Sequence, residues 1–193
     1  MHPSRELRRI AVIGAGSAGR DLALRCVRAG LEVTLEDVMP SRLRSAAAMA
    51  TAQPPLPSET TTGTLHLAST VEDAVRDADL AIDFVPDELE SKLEIFSMLD
   101  RMAPPRTILC TPTTALSIAD LASCTYRPQL CFALHIAGPH TIEVTGTSRS
   151  SRAALSAIER LLTTLGFSVA TRHDPAELPE STHKPGDPPR DPR

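Results

Sequence analysis

Short apolar runs rich in β-branched residues alternate with longer segments of helical period along most of this chain. The run Arg9–Ile13 is followed by a helical segment at Ser17–Ala29, and the run Leu31–Asp37 is followed by another at Ser41–Ala50. Apolar runs of about four to eight residues fit buried strands, and helices between consecutive strands bring those strands together in parallel. The alternation therefore predicts an α/β fold.

The same alternation continues almost to the end of the chain. Further strands are predicted at Leu65–Ser69, Leu80–Val85, Arg106–Thr111, Gln129–Ile136, Thr141–Val144 and Phe167–Thr171. Further helices are predicted at Val71–Ala78 with Thr70 as N-cap, Glu88–Met102, Leu116–Ser123 and Ser148–Leu165. The segment Gln53–Gly63 contains three prolines and is predicted as a loop. With a tight turn at Gly138-Pro139, we predict a Rossmann-like, doubly wound, mostly parallel sheet with a short antiparallel extension.

The length and the prolines limit the domain organisation. The chain has 193 residues, which suits one domain with one sizeable core. Six of its 17 prolines lie between Pro175 and Pro192, in a segment with almost no apolar side chains. Such a segment does not bury enough apolar surface to offset the entropy of ordering it. We therefore expect a folded domain over residues 1–172 and a disordered, proline-rich tail over 173–193.

The charge and the cysteines lower the probability of several functional classes. The formal net charge is −4, and no stretch reaches the roughly 18 apolar residues of a membrane span. The chain also lacks the apolar N-terminal stretch of a secretory signal. Its four cysteines form no C-x-x-C pair and no zinc-binding spacing, so buried thiols in a reducing compartment are expected. We expect a cytoplasmic protein with no metal site and with neither nucleic acid nor membrane as a partner.

A glycine-rich loop joins the first predicted strand to the first helix. It consists of Gly14, Ala15, Gly16, Ser17, Ala18 and Gly19. In this pattern the first glycine permits a tight turn, the second lets the backbone approach a pyrophosphate, and the third lets helix and strand pack closely. The helix N-terminus then presents N–H groups to the phosphates. The loop predicts a dinucleotide site, and an ordinary βαβ unit with an empty loop is the alternative.

An acidic pair, Glu36 and Asp37, closes the second predicted strand. An acidic side chain at this place accepts hydrogen bonds from the adenosine ribose and repels the additional phosphate of NADP, so the sequence favours NAD. Arg42 and Arg44 lie a few residues further on. They either hold such a phosphate or lie on a solvated helix face, and the second role is the more common one for charged residues.

A histidine and a glutamate are predicted to face each other in the antiparallel extension. If the turn spans Gly138 to His140, Ala137 pairs with Thr141 and His135 lies opposite Glu143. Opposed residues have Cβ atoms about 5 Å apart on one face, which is close enough for a hydrogen bond between carboxylate and imidazole. Such a pair suits general acid–base chemistry, whereas a lone histidine in a strand is more often structural. Thr111, Thr113 and Thr114 follow the fifth strand near the expected crevice, where one hydroxyl either binds a substrate oxygen or takes part in ordinary turn and cap hydrogen bonds.

These segments resemble the NAD-binding domain of the L-3-hydroxyacyl-CoA dehydrogenases. The resemblance spans most of residues 8–172 and includes the runs RRIAVIGAGSAG, FALHIAGP and IEV. It implies that the glycine loop and Asp37 bind NAD, and that Asp87 and Lys92 line the cofactor site. It also implies that His135 is the general base, that Glu143 holds it, and that Thr114 occupies the place of a serine that aids the substrate oxygen.

The sequence departs from the family at several positions. Pro112 and Gly138 stand where the family has asparagines, and the segment between Pro139 and Glu143 is four residues shorter than in the family. The helical C-terminal domain of the family, which provides much of the acyl-CoA cleft and the dimer interface, has no counterpart in the proline-rich tail. We therefore expect a second copy or another chain to complete the substrate site. We also expect an exposed apolar strip beyond the last strand or on Ser148–Leu165, where the second domain docks in the family.

The resemblance leads to a main hypothesis and two alternatives. The main hypothesis is an NAD-dependent oxidoreductase of fatty acid metabolism that interconverts a 3-hydroxyacyl thioester, on CoA or acyl carrier protein, and its 3-oxoacyl form. It acts as a homo- or hetero-oligomer. The first alternative is a non-catalytic NAD-binding regulatory or interaction subunit. A SAM-dependent methyltransferase is the weaker alternative, because Gly19 fits a dinucleotide loop better.

Overall fold

The fold was analysed in a computed structural model, which describes residues 6–52, 63–138 and 140–173. The tail predicted from residue 173 lies outside this part except for its first residue, and so does nearly all of the loop predicted over Gln53–Gly63. The elements described below account for most of the remaining chain. The described residues therefore include nearly all of the strands and helices that the sequence predicts.

The strands form one mostly parallel sheet. Within the described residues it has eight strands in the order β3-β2-β1-β4-β5-β6-β7-β8, and only the β6–β7 pair is antiparallel. The strands are β1 (Arg9–Ile13), β2 (Glu32–Glu36), β3 (Thr64–Ala68), β4 (Leu80–Asp83), β5 (Ile108–Pro112), β6 (Cys131–Gly138), β7 (Thr141–Gly146) and β8 (Ser168–His173). The predicted fold class, a Rossmann-like α/β sheet with a short antiparallel extension, is confirmed.

The helices lie close to their predicted positions. They are α1 (Ser17–Arg28), α2 (Pro40–Ala52), α3 (Val71–Val75), α4 (Leu89–Met102), α5 (Ile118–Ser123) and α6 (Arg152–Thr164). Thr70 caps α3 as predicted, because its hydroxyl accepts from the N–H of Asp73. The helix α6 begins later than predicted, because the Ser151 hydroxyl accepts from the N–H of Ala154 and makes Ser151 its N-cap.

Both faces of the sheet are covered by helices. One core contains α1, α2 and α6 packed on one face, and the other contains α3, α4 and α5 packed on the opposite face. The central strand β1 contributes Ile10 and Val12 to the first core and Ala11 and Ile13 to the second. This burial on both faces explains the continuous apolar run in its sequence. None of the helices in the described part is long and apolar enough to cross a membrane.

The apolar strip predicted on Ser148–Leu165 is not found, and the other predicted place, beyond the last strand, lies outside the described residues. The large apolar side chains of α6 are buried or half-buried against the sheet, which leaves polar side chains outside. The exposed apolar side chains lie elsewhere. They include Val38, Met39 and Leu67 beyond or near the ends of β2 and β3, and Ile136 near the end of β6. The exposed apolar surface therefore lies largely at the carboxyl edge of the sheet.

Candidate functional site

The glycine loop has the geometry that its sequence predicts. Gly14 has a φ of +99°, a left-handed conformation that favours glycine. A Cβ on Gly19 would lie 2.0 Å from the carbonyl oxygen of Gly14, so helix and loop approach too closely for any side chain there. A Cβ on Gly16 would instead meet nothing within 4 Å. The loop is therefore closed against the protein at two glycines and open to a ligand at the third.

The carboxylate of Asp37 is tied to the glycine loop. Its Oδ2 accepts from the N–H of Ala15 at 2.8 Å and its Oδ1 from the N–H of Met39 at 2.8 Å, while Arg42 Nη1 lies 3.3 Å from Oδ2. Burial alone would raise the pKa of Asp37, but these hydrogen bonds and the charge of Arg42 lower it. Asp37 is thus held as an anion beside the loop. Arg42 and Arg44 are exposed on α2, as expected for a solvated helix face, and Arg42 is also the ion-pair partner of Asp37.

The neighbouring Glu36 has the opposite tendency. It is only 4% exposed, and burial together with the charge of Asp37 raises its pKa. Of the two acids that close β2, Asp37 is therefore the one suited to remain charged. The backbone carbonyl of Glu36 has a separate role, because it accepts from the N–H of Gly14 and fixes the first residue of the loop.

The loop and its surroundings fit the pyrophosphate of a dinucleotide. The helix α1 begins at Ser17, directly after Gly16, where a Cβ would meet nothing within 4 Å, and the first N–H groups of a helix have no partner within the helix. Asp37 lies at the end of the adjacent strand, where a ribose follows the pyrophosphate in such sites. The residues present therefore fit the adenosine and phosphate parts of a dinucleotide.

A cavity of about 260 Å³ lies beyond the carboxyl ends of β4 and β5. Asp87, Lys92 and Thr114, all named as site residues from the sequence, line it. Asp87 Oδ2 accepts from the N–H of Thr114 at 2.8 Å and from its hydroxyl at 2.9 Å. Burial acts to raise the pKa of Asp87, but the hydrogen bonds from Thr113 and Thr114 outweigh it and lower the pKa. Two predicted site residues thus form one hydrogen-bonded unit.

Lys92 lies on α4, and its ammonium group is buried in an ion pair. Its Nζ lies 2.8 Å from Asp83 Oδ1, and the two side chains are 1% and 0% exposed. Burial raises the pKa of Asp83, while the charge of Lys92 opposes this effect. Asp83 was not singled out from the sequence. Its signal was a carboxylate in the otherwise apolar run that ends β4, where a buried charge requires a partner.

The predicted register of His135 and Glu143 is present. His135 pairs directly with Glu143, although Ala137 does not pair with Thr141 as expected, because a β-bulge shifts the register and Gly138 takes that place. In the described part of the chain, the two side chains share no hydrogen bond. His135 Nδ1 lies 3.4 Å from the carbonyl oxygen of Thr113, and Glu143 Oε1 lies 2.9 Å from Nη2 of Arg172.

The contact with Thr113 indicates which imidazole nitrogen is available. A carbonyl oxygen only accepts, so it favours the tautomer with the proton on Nδ1 of His135. The nitrogen left to accept a proton is then Nε2. Thr113 and Arg172 were not assigned these roles from the sequence, because neither a backbone carbonyl nor a diagonal contact across strands leaves a sequence pattern.

The cysteines and possible metal ligands show no other chemical site in the described residues. Burial raises the pKa of Cys26 and of Cys131 to about 12, and it is also the main cause that raises the pKa of Cys110. Cys124 is half-buried. Across the three described ranges, no group of three or more His, Cys, Asp or Glu side chains could hold a metal ion.

A glycine loop open at Gly16, an anion at the end of β2 and a cavity at the neighbouring strand ends define a dinucleotide-binding α/β domain. The chain belongs to the 3-hydroxyacyl-CoA dehydrogenase family, through its NAD-binding domain: the model for "3-hydroxyacyl-CoA dehydrogenase, NAD binding domain" matches residues 9–174. The cofactor is NAD.

Similar proteins include several dehydrogenases. A probable 3-hydroxybutyryl-CoA dehydrogenase of Bacillus subtilis is 32% identical over 145 residues, which are 69% of this chain and 50% of that protein. An L-carnitine dehydrogenase of Streptomyces coelicolor is 28% identical over 86% of this chain and 55% of that protein. The crystal structure of 3-hydroxybutyryl-CoA dehydrogenase from Escherichia coli has a TM-score of 0.77 and 25% identity, over 88% of this chain and 39% of that one. The chain spans about half the length of the curated relatives it matches.

Proposed function

We propose that this protein is an NAD-dependent oxidoreductase that interconverts a 3-hydroxyacyl thioester and its 3-oxoacyl form. The observation that supports it most strongly is the cavity beyond β4 and β5, because it brings Asp87, Lys92 and Thr114 together at the edge of the sheet where β6 carries His135. The glycine loop lies at the carboxyl end of β1, next to β4 in the same sheet. The cofactor loop and the proposed acid–base group therefore share one edge.

In this proposal His135 exchanges the proton of the substrate hydroxyl. During oxidation the O–H proton moves to Nε2 of His135, the C–H bond at the same carbon breaks with its electron pair, and a C=O bond forms. When held by the glycine loop and Asp37, NAD⁺ would supply the acceptor for the hydride that leaves that carbon. Glu143 supports the imidazolium that results. The Thr114 hydroxyl, which donates to Asp87 in the free protein, turns to donate its proton to the reacting oxygen, while the Thr114 N–H stays bonded to Asp87.

The cofactor half of the site has its own assignments in the proposal. Gly14, Ala15, Gly16, Ser17, Ala18 and Gly19 hold the pyrophosphate, and Asp37 binds the adenosine ribose. Asp87 and Lys92 line the nicotinamide end. The buried pair with Asp83 makes Lys92 a fixed positive charge beneath this end rather than a flexible surface group.

The proposal also includes the substrate carrier and the assembly. A thioester is proposed because the Bacillus subtilis and Escherichia coli relatives are named for 3-hydroxybutyryl-CoA. The match covers 50% and 62% of two relatives that bear these names, so the proposal includes a second copy, another chain or a further part of the protein that completes the substrate site. We also propose a cytoplasmic location, because free thiols are typical of a reducing compartment.

Turnover with a small 3-oxoacyl thioester tests the proposal. Oxidation of NADH by acetoacetyl-CoA should be followed at several protein concentrations, alone and with the unmatched half of the Bacillus subtilis relative added. We expect turnover in at least one arm, and about a 100-fold loss in His135→Gln. His140→Gln is the matched control, because His140 is exposed in the β6–β7 turn and should keep full activity. Absence of turnover in every arm, or equal activity of both variants, would contradict the proposal.

A non-catalytic NAD-binding subunit is the second candidate function. It is favoured by one observation, namely that Glu143 contacts Arg172 rather than His135. Calorimetric titration with NAD separates the candidates in combination with the assay. Binding with turnover supports the enzyme, and binding without turnover in any arm supports the subunit. L-Carnitine should be included among the substrates, because some relatives are L-carnitine dehydrogenases.

A further inference from the structure

Three charged or titratable side chains lie in a row across β6, β7 and β8. His135 on β6 pairs directly with Glu143 on β7, so the two side chains share a face of the sheet. Arg172 on β8 pairs with Thr145, two residues from Glu143, and therefore lies on the same face. The guanidinium group of Arg172 reaches back diagonally to Glu143, with Nη2 2.9 Å from Oε1.

Glu143 is thus placed between two cationic or potentially cationic groups. It is 17% exposed at its side chain, whereas Arg172 is 68% exposed. His135 is half-buried, and its Nδ1 is directed to the carbonyl oxygen of Thr113. The carboxylate of Glu143 therefore contacts Arg172, and the imidazole of His135 contacts the backbone carbonyl of Thr113.

We propose that Arg172 is a positioning residue that competes with His135 for the carboxylate of Glu143. By holding Glu143, Arg172 limits how strongly the carboxylate stabilises a protonated His135. The consequence for catalysis rests on the proposed function: a base that is not over-stabilised in its protonated form accepts a hydroxyl proton down to a lower pH. Arg172 thereby favours the oxidation direction near neutral pH.

Two other charged side chains near this end of β6 are left unchanged by substitutions at Arg172 and Glu143. They are Asp87, which binds Thr114 in the segment after β5, and Lys92 on α4, and both line the cavity next to Leu134 and Ile136. Asp87 and Lys92 lie on elements other than β7 and β8, so changing Arg172 or Glu143 leaves their positions unchanged. The row across the three strands is therefore the part of the local charge that the variants alter.

The protonation of His135 can be measured directly by NMR, without any turnover. The chain has six histidines, and the signal of His135 is assigned by its loss in His135→Gln. Its titration midpoint should be measured in the full chain and in Arg172→Gln, Arg172→Lys, Glu143→Gln and the double variant Arg172→Gln/Glu143→Gln. Arg152→Gln is the matched control, because Arg152 is exposed at the first residue of α6, which packs on the opposite face.

We expect Arg172→Gln to raise the midpoint of the His135 titration by about 0.5 pH unit or more, because the released Glu143 pairs with the imidazolium. Arg172→Lys keeps the charge and should stay near the wild-type midpoint. In the Glu143→Gln background the same Arg172→Gln change should have about 0.1 pH unit of effect. That remainder is the direct, screened effect of the exposed guanidinium, whose strand lies about 10 Å from the strand of His135.

The outcomes separate the inference from the proposed function. A rise that disappears without Glu143 supports the inference, whether or not the protein turns over a substrate. An equal rise in both backgrounds would show a direct charge effect and overturn the positioning role, as would no rise or a fall. Arg172→Ala serves as a second neutral variant if the glutamine variant fails to fold. If turnover is present, the pH at which oxidation begins should move upward by the same amount in Arg172→Gln.

Discussion

Replacement of Lys92 by methionine should destabilise the domain strongly. Methionine keeps the length of the lysine stem but removes the charge that faces Asp83 at 2.8 Å. Because the two side chains are 1% and 0% exposed, the carboxylate left behind has no access to water. Removing one partner of a buried ion pair costs about 3–5 kcal/mol of unfolding free energy. That is a large fraction of the roughly 5–15 kcal/mol of a whole domain.

The double variant Asp83→Asn/Lys92→Met distinguishes a lost charge partner from a lost shape. Without a buried charge, the cost should fall to about 1–3 kcal/mol, the usual penalty of an unpaired buried amide. The double variant is therefore expected to be more stable than Lys92→Met alone by about 2 kcal/mol. Chemical denaturation followed by circular dichroism is the suitable assay, because the chain has no Trp and one Tyr.

The pH dependence gives an independent check of the same reasoning. Burial already raises the pKa of Asp83, and loss of Lys92 removes the charge that opposes this effect. A carboxyl group whose folded pKa is raised contributes its stability below its unfolded pKa and loses it as the pH rises through the folded value. The deficit of Lys92→Met should therefore shrink at about pH 5 relative to about pH 8. A cost below about 1 kcal/mol, or a deficit independent of pH, would refute the buried ion pair.

Three further predictions concern the cofactor loop, Asp37 and the thiols. Gly19→Ala places a Cβ 2.0 Å from a carbonyl oxygen and should lower the free energy of unfolding by about 1–3 kcal/mol, which thermal unfolding checks. Gly16→Ala meets no protein atom within 4 Å and should weaken NAD binding while stability is unchanged, which calorimetric titration and thermal unfolding check. Asp37→Asn should cost about 1–3 kcal/mol at neutral pH. Because the folded pKa of Asp37 is lowered, this difference should disappear as the pH falls through that value in acid denaturation series; a constant difference would contradict it. Mass spectrometry after brief alkylation of the native protein should find label on half-buried Cys124 before buried Cys26.

The sequence is a good guide where local patterns and sheet geometry act together. The glycine loop is predicted in detail, because the spacing of Gly14 and Gly19 follows from steric limits that the structure shows directly. The opposition of His135 and Glu143 is also predicted, although the expected partner of Ala137 is wrong. The β-bulge moves only the residues next to the turn and leaves the pairing beyond it in place.

Contacts between strands and helices that lie far apart along the chain were not predicted from the sequence. The predicted partner of Glu143 is a neighbour in the hairpin, but Arg172 arrives from β8, whose place beside β7 depends on the whole sheet. Likewise, Lys92 is named for a cofactor site, while its pairing with Asp83 depends on how α4 packs against β4. Helix ends depend on similar details: α3 stops at Val75 because the N–H of Ala78 bonds to the Val75 carbonyl in a tighter turn than an α-helix.

Phe84 connects the two halves of the proposed site. A Cβ on Gly14 would lie 3.3 Å from the Phe84 carbonyl oxygen, and a Cβ on Gly19 would lie 3.2 Å from its ring, while the same residue lines the cavity that contains Asp87 and Thr114. One aromatic residue therefore lies between the glycine loop and the cavity and contacts both. A ligand on the loop that displaced Phe84 would therefore also change the volume of the cavity that contains Asp87 and Thr114.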